Sequence, residues 1–318
     1  MNLGELPMII FTVFAQMSVG AFITLGVIQT VGSLRHKSAT IDRIADPALY
    51  AIGPTLVLGL IASMFHMNDV FNVLNVFRGW ESSWLSREII FGMLFAGFGF
   101  LFAVMQWFKW GTPLLRRIVA GITALVGIGL VYVMSMIYYS LPTVPAWATW
   151  YTPVSFALTT ILLGSLAVGM AFVTTTMFRR HLLERDGKFF GAKVAPEKAD
   201  HVQVNELMAS SLRWIAVAVI ASGGALLVLI PMYLTELAGA GDVGVLSMVP
   251  YTGTTMFLRL ALIAAGAGLL AIFIYAFAKA RTNPRPLAIV VTLAFVLVLV
   301  GEMLGRAQFY ESMIRIGM

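Results

Sequence analysis

Eight long apolar stretches leave this chain few folds: approximately Met8 to Val31, Leu49 to Met67, Ile89 to Phe108, Ile118 to Tyr139, Val154 to Phe178, Trp214 to Thr235, Met256 to Ala278 and Leu287 to Phe309. Each can cross a bilayer, because a helix rising ~1.5 Å per residue needs about 20 residues for a hydrocarbon core of ~30 Å. Lipid offers no partner to backbone N–H and C=O groups, so such runs fold as helices that bond their own backbone. Eight of them in 318 residues, with 59% hydrophobic and 11% charged residues, leave no room for a soluble domain. The expectation is an all-α polytopic integral membrane protein, with residues 1–318 forming one transmembrane domain of eight helices.

Loops alternate between the two sides of the membrane, and the basic residues divide unequally between them. One side collects 16 of the 21 Lys and Arg, from Arg35, Lys37 and Arg43 through Lys109, Arg116 and Arg117 to the loop after the fifth stretch and to Lys279, Arg281 and Arg285. The other receives Arg78, Arg87, Arg259, Arg306 and Arg315. The positive-inside rule makes the richer side cytoplasmic and places both termini outside the cytoplasm. The net charge of +6 then follows from topology and lipid headgroups, and gives no case for nucleic acid. The leader Met1 to Pro7 carries Glu5 and no Lys or Arg, unlike the basic start of a cleavable signal, so the first stretch is read as a retained helix. The one extended hydrophilic piece, a basic cytoplasmic loop at about 179–211, mixes acids with its bases and reads as solvated and partly helical.

The chain has no cysteine, so it offers no ligand set for an iron–sulfur cluster. Of its four histidines, His36, His181 and His201 fall in cytoplasmic loops, and His66 alone ends a membrane stretch. No second imidazole is there to clamp a haem, and no metal site is expected. Electrons handled by such a protein travel on a diffusible organic molecule.

Charges inside hydrocarbon cost about 2.5–3.5 kcal/mol at a helix centre even on the lenient insertion scale, so those present carry a functional presumption. His66, Glu88, Glu236, Arg259, Glu302 and Arg306 all fall in the outer third of the bilayer, with Gln16 at similar depth. An imidazole and carboxylates beneath an apolar cover suit a lipid-soluble substrate that exchanges protons with electrons, and a quinone fits that description. Its isoprenoid tail requires an apolar cleft, for which the 22 Phe and 18 Met are candidates. Bland readings stand beside these. Glu302 and Arg306 are spaced to neutralise each other on one helix face, Arg259 has Glu236 or Glu302 as bridging partners, and Glu88 suits a helix first turn capped by Ser86. His66 has an interfacial reading against headgroups. A secondary transporter is the competing class, against which the charges stop in the outer third with no relay to the cytoplasm.

The outer loop from Leu141 to Pro153 carries no charge and is rich in Pro and aromatic residues. Its Trp147, Trp150 and Tyr151 read either as an interfacial belt or, with Pro142 and Pro145, as a dock for a protein partner on the outer face.

Several segments together resemble the membrane-anchor subunit of the dimethyl sulfoxide reductase family. They are Pro7 to Gln16, Ile61 to His66, Leu85-Ser86-Arg87-Glu88-Ile89, Thr143 to Trp147 and Gly301 to Tyr310. The resemblance implies eight transmembrane helices with both termini outside, in the bacterial cytoplasmic (inner) membrane. It also implies a molybdopterin catalytic subunit and a four-cluster iron–sulfur subunit held on the extracytoplasmic side, in anaerobic respiration. It marks His66 and Glu88 as the residues of menaquinol binding and oxidation, with ubiquinone as the other quinone. The candidate quinone contacts are then Gln16, His66, Arg87, Glu88, Arg259, Glu302 and Arg306. Two departures stand out: Met67-Asn68-Asp69-Val70 replaces the family's Gly-containing turn, and the 179–211 loop is long. Some anchors of this type serve sulfite-oxidising enzymes and reduce the quinone, so the resemblance leaves the direction of electron flow open.

Overall fold

The computed structural model describes residues 5–34, 41, 45–46, 48–49, 53–55, 57–59, 77–184, 188–189, 192–193, 200–278 and 284–317. Among them seven helical spans are long and apolar enough to cross a membrane. They are α1 (Leu6–Gly32), α2 (Trp84–Trp107), α3 (Pro113–Tyr139), α4 (Tyr151–Glu184), α5 (Asp200–Ala238), the segmented span of α7 (Gly253–Ile263) and α8 (Ala271–Phe277), and α9 (Pro284–Glu311). A short helix α6 (Gly241–Ser247) and a 3₁₀ turn at Val249–Tyr251 link α5 to α7, with Gly241 and Gly253 at φ 74° and 76° where a Cβ would be strained. Most of the expected second stretch, Leu49 to Met67, lies outside the described residues. Its described pieces 53–55 and 57–59 are helical and pack on α1, where Ser18 Oγ is 2.9 Å from Thr55 Oγ1 and Gly59 closes on Phe14.

The helices overrun the apolar stretches because backbone hydrogen bonding persists into the polar interface, where hydropathy no longer marks it. Caps set several starts. Ser83 Oγ accepts from Ser86 N at 3.3 Å, and Thr112 Oγ1 accepts from Leu115 N at 3.2 Å ahead of Pro113. Ser83, rather than Ser86, is therefore the capping side chain of α2. At the basic loop, α4 continues to Glu184 and α5 begins at Asp200, so the segment is helical at both ends, with a two-stranded antiparallel pair, Lys188–Phe189 and Ala192–Lys193, between them.

The apolar windows of α1 and α4 are 67% buried against 28% for α2, which makes α1 and α4 the central pair. Their approach depends on two glycines: a Cβ on Gly20 would strike the Thr160 carbonyl, and one on Gly164 would strike the Gly20 backbone. Between α7 and α8 a π-helical turn, Ala264–Leu270, presents Gly266 to Val298 of α9 and Ala267 to Gly223 of α5. Contacts across the bundle gather the start of α1, the end of α3, the start of α4 and the end of α9 at one end. There Thr12 meets Tyr310, Tyr138 meets Tyr310, and Ile316 N donates to Thr143 O at 2.9 Å. At the opposite end Asp46 accepts from Gln106 Nε2 at 2.8 Å and Lys109 Nζ at 3.0 Å, while Arg116 Nη1 donates to Gln106 Oε1 at 3.0 Å.

Candidate functional site

Helix α9 brings Glu302, Arg306, Gln308, Phe309 and Tyr310 to the end of the bundle defined by Thr12 and the 141–153 loop. Arg259 reaches this group from α7 by crossing α9 at Gly305, where any Cβ would collide with the guanidinium. Its Nη1 donates to Gln308 Oε1 at 3.2 Å, and Gln308 Nε2 in turn donates to the Pro250 carbonyl at 3.0 Å. Arg306 Nη2 donates to Gln16 Oε1 at 3.0 Å, and its Cζ lies 3.9 Å from the centre of the Phe156 ring, a cation–π contact in a desolvated setting. Glu302 Oε2 accepts from Thr159 Oγ1 at 2.6 Å.

All of these polar side chains are buried, and donors outnumber acceptors among them. Glu302 lies within electrostatic reach of both guanidiniums, yet among the described residues neither forms an ion pair with it. Arg259 Nε, Arg306 Nε, Gln16 Nε2 and Glu302 Oε1 are buried without a hydrogen-bond partner, and the Tyr151 hydroxyl faces the Arg259 guanidinium. An unmet buried group costs about 1–3 kcal/mol, more when charged, so several in one place are a marked concentration of unspent bonding capacity. They supply N–H donors and one carboxylate acceptor suited to a ring that carries carbonyl or hydroxyl oxygens.

Glu88, buried just beyond the first turn of α2, sits within electrostatic reach of Tyr138 and Tyr310. Those two hydroxyls are 3.1 Å apart, and Tyr310 is 2.7 Å from Thr12 Oγ1, which donates to the Met8 carbonyl at 2.7 Å. That last bond fixes the polarity of the hydroxyl series. Thr12 gives its proton to the carbonyl, so Tyr310 donates to Thr12 and Tyr138 donates to Tyr310. The Tyr138 oxygen remains as acceptor toward the Glu88 side.

The uncharged loop closes over this assembly. Trp147 is buried, stacked on Phe309 with centroids 5.4 Å apart and donating Nε1 to the Phe309 carbonyl at 2.7 Å. Tyr151 is buried too, stacked on Tyr233 at 4.3 Å, and Tyr233 donates to the Ala146 carbonyl at 2.9 Å. Two of the three aromatic residues expected as a belt or a dock, Trp147 and Tyr151, are thus turned inward, because Phe309 offers a ring face and a carbonyl there and Tyr233 a ring face. Pro142 and Trp150 are exposed and Pro145 is half-buried. Tyr251, in the connector before α7, is buried against Tyr233, and that desolvation raises its phenol above the ordinary tyrosine range.

Gln16, Glu302, Arg259 and Arg306 are therefore brought together, with Glu88 beside the tyrosine pair. Arg87 is turned away: its Nε donates to the Trp80 carbonyl at 2.9 Å, its Nη2 to the Glu81 carbonyl at 2.8 Å, and its Cζ lies 4.2 Å from the Trp84 ring centre. Glu236 is exposed, outside the cluster. His66 lies outside the described residues. Thr12, Tyr138, Thr159, Gln308 and Tyr310 were missed as site residues. Gln308 and Tyr310 share a helix with Glu302, and Thr12 sits one turn before Gln16 on the same face, so helical spacing from those anchors was the available signal.

The profile of the DMSO reductase anchor subunit (DmsC) family matches residues 1–311. Over 176 residues the sequence is 33% identical to a polypeptide of the anaerobic dimethyl sulfoxide reductase of Escherichia coli strain K12, covering 53% of this protein and 59% of that one. It is 32% identical over 200 residues to the equivalent anaerobic dimethyl sulfoxide reductase polypeptide of Haemophilus influenzae strain Rd, covering 61% and 68%. Against a polypeptide of the sulfite dehydrogenase of Allochromatium vinosum it is 28% identical over 159 residues, covering 45% and 49%. The aligned regions thus span about half to two thirds of the length of these curated relatives.

Proposed function

This chain belongs to the DMSO reductase anchor subunit (DmsC) family, and on that premise we propose that it binds and oxidises menaquinol. The proposed site lies near the extracytoplasmic face of the bacterial inner membrane. The observation that carries this reading is the buried cluster of Arg259, Arg306, Gln16 and Glu302, whose unpartnered atoms include three N–H donors and one carboxylate oxygen. The quinol enters from lipid and places its ring oxygens among these groups and Glu88. The donors hold the oxygen on which negative charge grows as the hydroxyl proton leaves, in a setting where low dielectric strengthens each contact. Glu88 takes one proton; His66, on the family resemblance, takes the other. The Tyr138–Tyr310–Thr12 series gives Glu88 a hydroxyl route toward the end of the bundle where α1 begins, completed when the Thr12 hydroxyl turns from the Met8 carbonyl to pass its proton to water. Oxidation releases two protons and two electrons, and the electrons pass to an iron–sulfur partner docked on that end, which serves a molybdopterin catalytic subunit.

Binding is tested by quenching of a fluorescent quinol-site inhibitor titrated into membranes that carry the intact complex, wild type beside Glu88→Gln. Saturable quenching lost in the variant, with the subunits still attached, is the expected result. Equal quenching in both proteins removes Glu88 from the site, and none in either leaves a scaffold. A reversed flow, in which the same site reduces quinone, is favoured by the similarity to a sulfite dehydrogenase polypeptide. Assaying both directions with the same membranes separates the two.

A further inference from the structure

Directly beneath the polar cluster, α1, α4 and α9 leave a half-open cleft of about 360 Å³, within the range of small-molecule sites and almost wholly apolar in its lining. Its upper wall continues the cluster. Met17 follows Gln16 on α1, and Leu299 lies one turn before Glu302 on the same face of α9. Phe14 and Phe295 flank these positions. Along α4 the cleft runs from Ala167 to Thr175, about 12 Å of helix at the usual rise, away from the polar end. Ala21, Ala167 and Ala171 open the trough, since alanines stand where larger side chains would interlock across the helix pair. Ala48 and Thr55, the latter tied to Ser18, complete the wall.

We propose that this cleft is the binding site for the isoprenoid tail of the quinol, which descends from the polar cluster between α1, α4 and α9. The inference rests on the quinol reading given above, and it adds a location and a direction for the tail. Continuity with the polar cluster selects this occupant. Met17 and Leu299 lie within one helical turn of Gln16 and Glu302, so the tail of a ring held by those residues meets the apolar lining where it leaves the ring. The cleft therefore sets affinity through the first isoprene units, the part of the tail that it can enclose.

The test uses the intact complex in membranes with two electron donors, menaquinol with its full tail and the tail-less 2,3-dimethyl-1,4-naphthoquinol. Ala171→Leu fills the trough. Its expected effect is a KM for menaquinol raised about tenfold, the equivalent of two methylene burials lost, with kcat and the KM for the tail-less quinol unchanged. A rise of similar size for both donors, or for neither, overturns the tail site. Should the variant fail to assemble, wild type decides alone: inhibition by naphthoquinones of increasing tail length is expected to tighten over the first few units and then level off. Affinity that ignores tail length overturns the proposal. Failure of the quinol reading itself looks different, because wild type would then turn over neither donor and bind no inhibitor.

Discussion

Gly305 is the residue on which the guanidinium cluster most directly depends, because the space a methyl group would take is filled by Arg259. Gly305→Ala is expected to displace Arg259 from Gln308 and lower stability by about 1–3 kcal/mol, the usual cost of overpacking. Thermal unfolding of the detergent-solubilised complex, read beside inhibitor quenching, checks both consequences; an unchanged midpoint with full quenching would refute them. Tyr310 tests the hydroxyl series in the same way. Tyr310→Phe keeps the ring packed against Tyr138 and Trp147 and removes the hydroxyl that joins Tyr138 to Thr12. Turnover should fall about tenfold or more, with KM and inhibitor affinity kept and a larger solvent isotope effect, as for loss of a proton-transfer group. Equal kinetics in H₂O and D₂O at wild-type rate would leave the hydroxyl a structural role. These residues were unequally legible. Arg259, Glu302 and Arg306 stand out as charges in apolar runs, whereas a neutral hydroxyl such as Tyr138 or Thr12 costs little in lipid and leaves no mark in the hydropathy pattern.

Between elements, the crossing of α1 and α4 matters most, since these two carry Thr12, Gln16, Phe156 and Thr159 to the site. Gly20 and Gly164 allow the backbones to meet, and membrane helices associate through such close packing in the absence of a hydrophobic drive. Gly164→Val is expected to separate the pair, so that the protein fails to accumulate in membranes and the catalytic partners are released. Immunoblotting of membrane and soluble fractions measures this, with Gly224→Val, a position whose Cβ meets nothing within 4 Å, as the control expected to behave as wild type. The helices themselves were legible to within a few residues at most ends. The exception is α5, which begins at Asp200, well before the apolar stretch at Trp214, because its first turns are polar helix that hydropathy does not detect. The π-turn at Ala264–Leu270 was hidden as well, since a Gly- and Ala-rich run fits any helical register and the packing of Gly266 on α9 selects one.

For the whole molecule, the decisive quantity is orientation. The protein has no cysteine, so every thiol introduced into it reports alone. In cells that make this chain without its partner subunits, Trp150→Cys and Pro142→Cys, both exposed at the site end, are expected to react with a membrane-impermeant maleimide added to intact cells, and Lys188→Cys only after lysis. The opposite labelling pattern would place the quinol site on the cytoplasmic side and send its protons inward.

By itself the sequence determined the class of molecule: apolar runs of spanning length, ionisable residues concentrated toward one end, and the absence of thiols follow from composition and order alone. It also carried the family, through motifs that extend along most of the polypeptide. Tertiary structure alone decided which polar residues meet. Residues 16, 259 and 306 approach one another through helix crossings, and those crossings depend on where glycines let backbones close. It decided equally that Trp147 and Tyr151 face inward, because the ring faces and the carbonyl that receive them come from distant parts of the sequence, whereas Arg87 turns aside to carbonyls only six and seven residues before it.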